Sequence, residues 1–144
     1  MKMLKSVSKV CAGVIAAGLL TIGGAGAASA QTVTAQFKIQ NSFGSTITLD
    51  TASCTSGSIF PPFSISSGGN ATFSGTTTSS STLCTVRYQS GIYGCQFQVQ
   101  ATNTSTGFAA TNAYKGSGTR PTCTKTGDHS IPGVVGWEGD FTMQ

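Results

Sequence analysis

His129 is the only histidine in the chain, and it follows Asp128 in a stretch rich in Gly, Ser and Pro. A Ser–His–Asp catalytic site needs these three side chains to converge in space, and adjacency in sequence does not provide that. The Gly-x-Ser-x-Gly, His-Glu-x-x-His and phosphate-loop motifs of common enzyme classes are missing after residue 30. We therefore interpret His129 as a solvated loop residue. We predict that the protein is not an enzyme, with a secreted hydrolase as the minor alternative.

Glu138 and Asp140 form the one closely spaced carboxylate pair, and on a regular strand they would share a face. Two carboxylates hydrolyse a glycoside only when they flank the sugar across a cleft. Together with Asp128 they could form a weak calcium site, but strand neighbours of this kind more often lie on a solvent-facing surface. The prediction is no catalytic residue, no metal site and no cofactor.

Tyrosine and tryptophan offer an apolar ring with a polar edge, which suits a lipid headgroup layer or a sugar ring. Tyr93 lies beside Ile92 at the tip of a predicted hairpin, and Tyr114 and Trp137 lie near Gly-rich stretches. These four residues are the predicted binding surface. For Trp137 a place in the core is the competing interpretation, and it is favoured over exposure.

Four cysteines follow residue 30, and an even number in an exported chain predicts two disulfides: Cys54, Cys84, Cys95 and Cys123. Metal binding is the rival, but the chain has no Cys-x-x-Cys pair. Loop-closure entropy does not choose among the three connectivities. A direct bridge between Cys84 and Cys95 would need a turn at Gln89-Ser90 that ignores Gly91. The favoured pairs are therefore Cys54–Cys84 and Cys95–Cys123.

The elements that position these residues centre on Thr82–Gln100, where apolar and polar residues alternate on both sides of a Gly-bearing turn. This pattern predicts a β-hairpin. Two registers keep both apolar faces together. One pairs Val86 with Cys95 and the other pairs Val86 with Phe97, and the sequence does not separate them.

The rest of the chain after residue 30 reads as short strands with frequent turns and no helical repeat. Clean alternation over Thr32–Gln40 predicts a half-buried strand, whereas Gly75–Ser81 is predicted to be a flexible loop and Thr124–Gly133 an irregular stretch. The predicted fold is all-β: a single antiparallel β-sandwich over residues 31–144, with a small β-barrel as the alternative.

The N-terminus has the pattern of a secretory signal peptide: Lys2, Lys5 and Lys9, then a short apolar run, then Ala28-Ser29-Ala30. Cleavage near Ala30 predicts a secreted, extracellular or periplasmic protein. Of the chain's eight Lys and Arg residues, five lie after Ala30 with all four acidic residues, which leaves a net charge of +1. So few basic residues argue against a nucleic-acid partner.

One further pattern covers about half of the exported chain. Phe37–Asn41, Thr46–Asp50, Pro61-Pro62 with Ile65 and Gly68-Gly69, then Phe73 and Thr85–Tyr88 follow an order that resembles aegerolysin- and actinoporin-like β-sandwiches. The resemblance implies a protein that binds lipid membranes, although the cysteines depart from the family pattern and no binding residue is transferred.

We therefore predict a small secreted binding protein that contacts a membrane lipid or a glycan surface through exposed aromatic side chains. The alternative is an extracellular inhibitor or a structural or surface-associated protein, whose partner would be an extracellular protein.

Overall fold

The computed structural model describes residues 29–144. The predicted signal peptide, residues 1–30, lies almost wholly outside the described residues. The described chain forms ten β-strands: β1 Val33–Asn41, β2 Ile47–Cys54, β3 Ser58–Ile59, β4 Ser64–Ile65, β5 Asn70–Thr77, β6 Ser81–Ser90, β7 Tyr93–Thr102, β8 Gly107–Lys115, β9 Cys123–Ser130 and β10 Gly136–Met143. From residue 29 onward no helix is long and apolar enough to cross a membrane.

The strands form two five-stranded sheets that pack face to face. The first sheet has the order β3-β5-β1-β10-β9 and the second has the order β4-β2-β6-β7-β8. The predicted sandwich is confirmed, and the barrel alternative is wrong because each sheet ends in two edge strands. One pair, β1 with β10, is parallel. Parallel neighbours need a long connection, and here nearly the whole domain lies between them.

The core lies between the sheets because the strands alternate as predicted. In β1, Val33, Ala35, Phe37 and Ile39 are buried, whereas the intervening residues face outward. The rings of Phe97 and Phe141 meet across the two layers, with their centroids 5.1 Å apart. The central hairpin adopts the register that pairs Val86 with Phe97. Its tip is Gly91-Ile92, with Gly91 at a positive φ of 59°.

Both predicted disulfides are confirmed. Cys54 and Cys84 lie opposite each other on the neighbouring strands β2 and β6, with Cα atoms 4.0 Å apart. Cys95 of the second sheet is joined to Cys123 of the first, with Cα atoms 5.7 Å apart. The second bridge therefore ties the two layers together.

Two stretches predicted to be irregular are strand in part: the predictions are wrong for Gly75–Thr77 and for Thr124–Ser130, whereas residues 78–80 and 131–133 lie outside the strands. The Thr- and Ser-rich stretch from Gly75 continues β5 through Thr77, because these residues pair with β1 as far as Val33. Gly75 itself packs against a disulfide. A Cβ at Gly75 would lie 2.4 Å from Cys84 Sγ and 2.7 Å from Cys54 Sγ. The second stretch forms β9 as far as Ser130, a largely exposed edge strand that buries no large apolar side chain and therefore shows no apolar alternation.

Strand directions bring four connections to one end of the sandwich, the apical end: residues 42–46, 66–69, 91–92 and 116–122. The buried side chain of Asn41 organises this end. Its Nδ2 donates to the carbonyls of Ser45 and Ile65, each at 2.8 Å, and its Oδ1 accepts the amide of Phe43 at 3.0 Å. Every polar atom of this buried amide is used, so the connections around it are held in fixed positions.

Candidate functional site

The four predicted binding residues do not form one surface. Ile92 is at the apical tip of the β6–β7 hairpin and is 64% exposed. Tyr93 follows it but is half-buried, with its ring 5.3 Å from the ring of Phe43. The guanidinium group of Arg120 lies over the Phe43 ring, 5.1 Å from its centroid. Of the predicted set, only Ile92 and Tyr93 are neighbours.

Tyr114 lies on the outer face of the second sheet. Its ring covers Gly94, where an added Cβ would lie 2.6 Å from a ring carbon, and its hydroxyl donates to Asp50 Oδ2 at 2.8 Å. Arg87 lies 5.0 Å from the ring centroid. Burial, and then the hydrogen bond to Asp50, raise the pKa of the Tyr114 phenol. This tyrosine is held across the sheet by these contacts.

Trp137 is half-buried and packs against the core, as its alternative interpretation holds. It extends between the sheets from β10, and an added Cβ at Gly107 would lie 2.7 Å from its ring. This position is remote from the apical end. The predicted aromatic residues are therefore spread over three places.

Among residues 29–144 the two most exposed large apolar side chains are phenylalanines that the sequence interpretation missed. Phe60 is 84% exposed and Phe63 is 75% exposed. They flank Pro61-Pro62 in the connection from β3 of one sheet to β4 of the other, and we call Phe60–Phe63 the diphenylalanine loop. The clue in the sequence is a phenylalanine on each side of a Pro-Pro pair, because proline ends strand pairing and leaves its neighbours outside the regular sheet.

The diphenylalanine loop is fixed to the sandwich. Tyr88, fully buried on β6, donates from its hydroxyl to the Pro62 carbonyl at 2.6 Å. The amide of Leu49 on β2 donates to the Phe63 carbonyl at 2.8 Å. Two prolines and two anchors restrict the loop backbone, so the phenylalanine rings are displayed from a rigid support.

Charge is divided between the two sheets. In residues 29–144 both lysine–carboxylate ion pairs, Lys38–Glu138 and Lys125–Asp128, lie on the first sheet, as do the two contacts of His129 with carboxylates. Arg87, Lys115 and Arg120 belong to the second sheet and the apical loops, and none of them has an ion-pair partner there. Each lies over an aromatic ring, with Lys115 5.4 Å from the Tyr114 centroid. Arg87 and Lys115 therefore lie over Tyr114 on the outer face of the second sheet, and Arg120 lies over Phe43 at the apical end.

The candidate chemical residues lie on β9 and β10 of the first sheet. Glu138 and Asp140 share its outer face, as their spacing predicts, but Glu138 is only 3% exposed, so its expected solvent-facing position is wrong. Gln36 donates to its Oε2, and Lys38 Nζ lies 2.6 Å from its Oε1. This contact with Glu138 raises the pKa of Lys38.

His129 belongs to the same group and is not paired with Asp128. Its Nε2 lies 3.3 Å from Glu138 Oε1, and its Nδ1 lies 3.9 Å from Asp140 Oδ2. Asp128 instead accepts the backbone amide of Ala109 at 3.1 Å and pairs with Lys125. The described residues thus bring one histidine and two carboxylates together, without an Asp128–His129 catalytic pair.

No family model matches the chain, and no curated protein matches it. Among solved structures it is similar to the crystal structure of the lipid binding protein Nakanori, with a TM-score of 0.57 and 10% sequence identity. The match covers 79% of this chain and 71% of that chain. At this identity the likeness shows the fold alone, which is consistent with the resemblance to aegerolysin- and actinoporin-like sandwiches. The two disulfides are typical of an oxidising compartment.

Proposed function

We propose that this protein is a secreted, non-enzymatic binding protein whose partner is a lipid membrane surface. The observation that carries the proposal is the diphenylalanine loop, where Phe60 and Phe63 are 84% and 75% exposed on an anchored backbone. Rings displayed this way have no packing role inside the domain, and burying one fully contributes about 1.5–3 kcal/mol. A rigid loop loses little conformational freedom on binding.

Ile92 at the apical tip is the second proposed contact, and the next residue, Tyr93, is half-buried against Phe43. Tyr114 and Trp137 are not proposed as contacts, because the first is hydrogen-bonded across the second sheet and the second packs between the sheets. The low net charge after Ala30 favours a membrane contact that does not depend on anionic lipid. The likeness to a lipid binding protein supports this class of partner at the level of fold.

Co-sedimentation with phosphatidylcholine vesicles tests the proposal. We expect the wild-type protein to bind, and the double variant Phe60→Ser/Phe63→Ser to bind at least tenfold more weakly, since one lost ring at about 1.5 kcal/mol already gives that factor. Phe108→Ser is the matched control, because Phe108 is 44% exposed but lies on β8, at the edge of the second sheet opposite to β4 and the diphenylalanine loop. Its binding should be unchanged.

Ile92→Ser tests the apical contact separately and should give a smaller loss. Absence of vesicle binding by the wild-type protein would overturn the lipid proposal and favour the inhibitor or structural alternative. Equal losses in the double variant and in Phe108→Ser would show that any exposed ring serves, which contradicts a dedicated loop. Secretion is tested by N-terminal sequencing of the exported protein, which we expect to begin near Gln31.

A further inference from the structure

The outer face of the first sheet gathers three side chains whose atoms are metal ligands. His129 lies on β9, and Glu138 and Asp140 lie on β10, and one ligand atom from each lies within 4.8 Å of the others. The register places His129 opposite Glu138. Because His129 is the only histidine in the chain, no second metal site with a histidine ligand can form.

The geometry points to a site for a divalent transition-metal ion of the zinc type, held by His129, Glu138 and Asp140. Zinc bonds to nitrogen and oxygen are about 2.0–2.2 Å long, so two ligands on a tetrahedral ion lie about 3.3–3.5 Å apart. His129 Nε2 and Glu138 Oε1 are 3.3 Å apart, which is already this spacing. An imidazole beside carboxylates favours zinc over calcium or magnesium, which prefer oxygen ligands alone.

Two further features support the site. Gln36 donates to the second carboxylate oxygen of Glu138, the kind of outer hydrogen bond that orients a metal ligand. Gly127 lies opposite Asp140 in the β9–β10 register, and a Cβ there would lie 2.9 Å from Asp140 Oδ2. Because residue 127 is a glycine, the Asp140 carboxylate has room to lie against β9, next to His129.

Lys38 is the built-in competitor for this site. Its ammonium group lies 2.6 Å from the same Glu138 oxygen that the ion would use. The Lys38 side chain is 50% exposed, so it can turn into solvent at small cost when an ion enters. The His129 side chain is 51% exposed, so an ion reaches the site directly from solvent. The site then exchanges one cation for another.

Titration of the oxidised protein with Zn²⁺ tests this inference, independently of lipid binding. The ring-proton NMR signals of the single histidine should shift and saturate at one ion per chain, and calorimetry should give the same stoichiometry. His129→Ala should weaken binding at least tenfold. Lys38→Met should tighten it several-fold, because the competing ammonium group is gone. Lys125→Met is the control, since Lys125 pairs with Asp128 and not with these ligands, and it should change nothing.

Three results would overturn the site: no histidine shift in either the wild-type protein or Lys38→Met, binding that survives His129→Ala unchanged, or Ca²⁺ bound as tightly as Zn²⁺. If Lys38→Met does not fold, Lys38→Gln serves the same purpose, and circular dichroism checks each variant. Glu138 is left intact in these tests because its buried carboxylate is part of the sheet's polar network.

Discussion

The hydroxyl of Tyr88, a residue with no exposed surface, donates a 2.6 Å hydrogen bond to the carbonyl of Pro62 in the diphenylalanine loop. The ring of Tyr88 lies in the core on the inner face of the second sheet. Its centroid is 6.5 Å from that of Phe73, which belongs to the first sheet. A single side chain thus connects the packed interior to the most exposed apolar loop. The position of the loop is set by the core.

Tyr88→Phe should keep the fold and loosen the diphenylalanine loop. Removing this hydroxyl leaves the Pro62 carbonyl without its partner, and we expect the free energy of unfolding to fall by about 0.5–1.5 kcal/mol. The amide of Leu49, which donates to Phe63, should exchange with deuterium faster. Tyr114→Phe is the matched control, because it loses a tyrosine hydrogen bond on the other side of the second sheet. Equal exchange of Leu49 in both variants would contradict the anchoring role.

Gly75→Ala should destabilise the domain through the Cys54–Cys84 disulfide. The new methyl group would lie 2.4 Å from Cys84 Sγ, so β5 or the bridge must shift. Overpacking of this kind costs about 1–3 kcal/mol, measured by urea denaturation.

A double-mutant cycle checks the cause. In a Cys54→Ala/Cys84→Ala background the sulfur atoms are gone, and Gly75→Ala should cost much less there. The same cost in both backgrounds would show that the contact with the bridge is not responsible.

Much of the fold could be predicted because the core obeys period two. Alternation in β1 and in the β6–β7 hairpin placed Phe37, Val86 and Phe97 inside, and the turn at Gly91 excluded one disulfide connectivity. Strand β9 was missed because an exposed edge strand needs no apolar residues. The parallel β1–β10 pair was missed because nothing local in either strand records which distant strand lies beside it.

The candidate site was less predictable, for the same physical reason. Exposure of Phe60 and Phe63 depends on where two short edge strands end, and burial of Glu138 depends on Gln36 and Lys38 from a strand a hundred residues earlier. The Phe-Pro-Pro-Phe sequence marks where strand pairing ends but does not fix the exposure of its rings, and the burial of Glu138 leaves no local pattern at all. Residue type alone suggested tyrosine and tryptophan as the contact residues, although in the fold Trp137 is held by the core.

Removal of the Cys95–Cys123 bridge should lower the free energy of unfolding more than an ordinary surface substitution does. Cys95→Ala/Cys123→Ala opens the covalent link between β7 and β9, and native disulfides of small exported domains typically contribute about 2–5 kcal/mol. We expect a lowered urea midpoint with the sandwich retained at low denaturant. If mass spectrometry of the unreduced wild-type protein showed alkylation of all four cysteines after residue 30, both bridges would be contradicted.

Alkaline pH should unfold the protein through Tyr88 and Tyr114. Burial raises the pKa of both phenols above the ordinary value near 10, and for Tyr114 the bond to Asp50 adds to the effect. In the unfolded chain these phenols ionise at lower pH than in the folded chain. Their contribution to stability is therefore complete below about pH 10 and declines as the pH rises towards the folded-state pKa values.

Absorbance at 295 nm should show that both phenols ionise well above pH 10, at the same pH at which circular dichroism shows unfolding. Tyr114→Phe should reduce the late change by one phenol. Ionisation of all three tyrosines near pH 10 with the fold intact would contradict the burial of Tyr88 and the Asp50 contact of Tyr114.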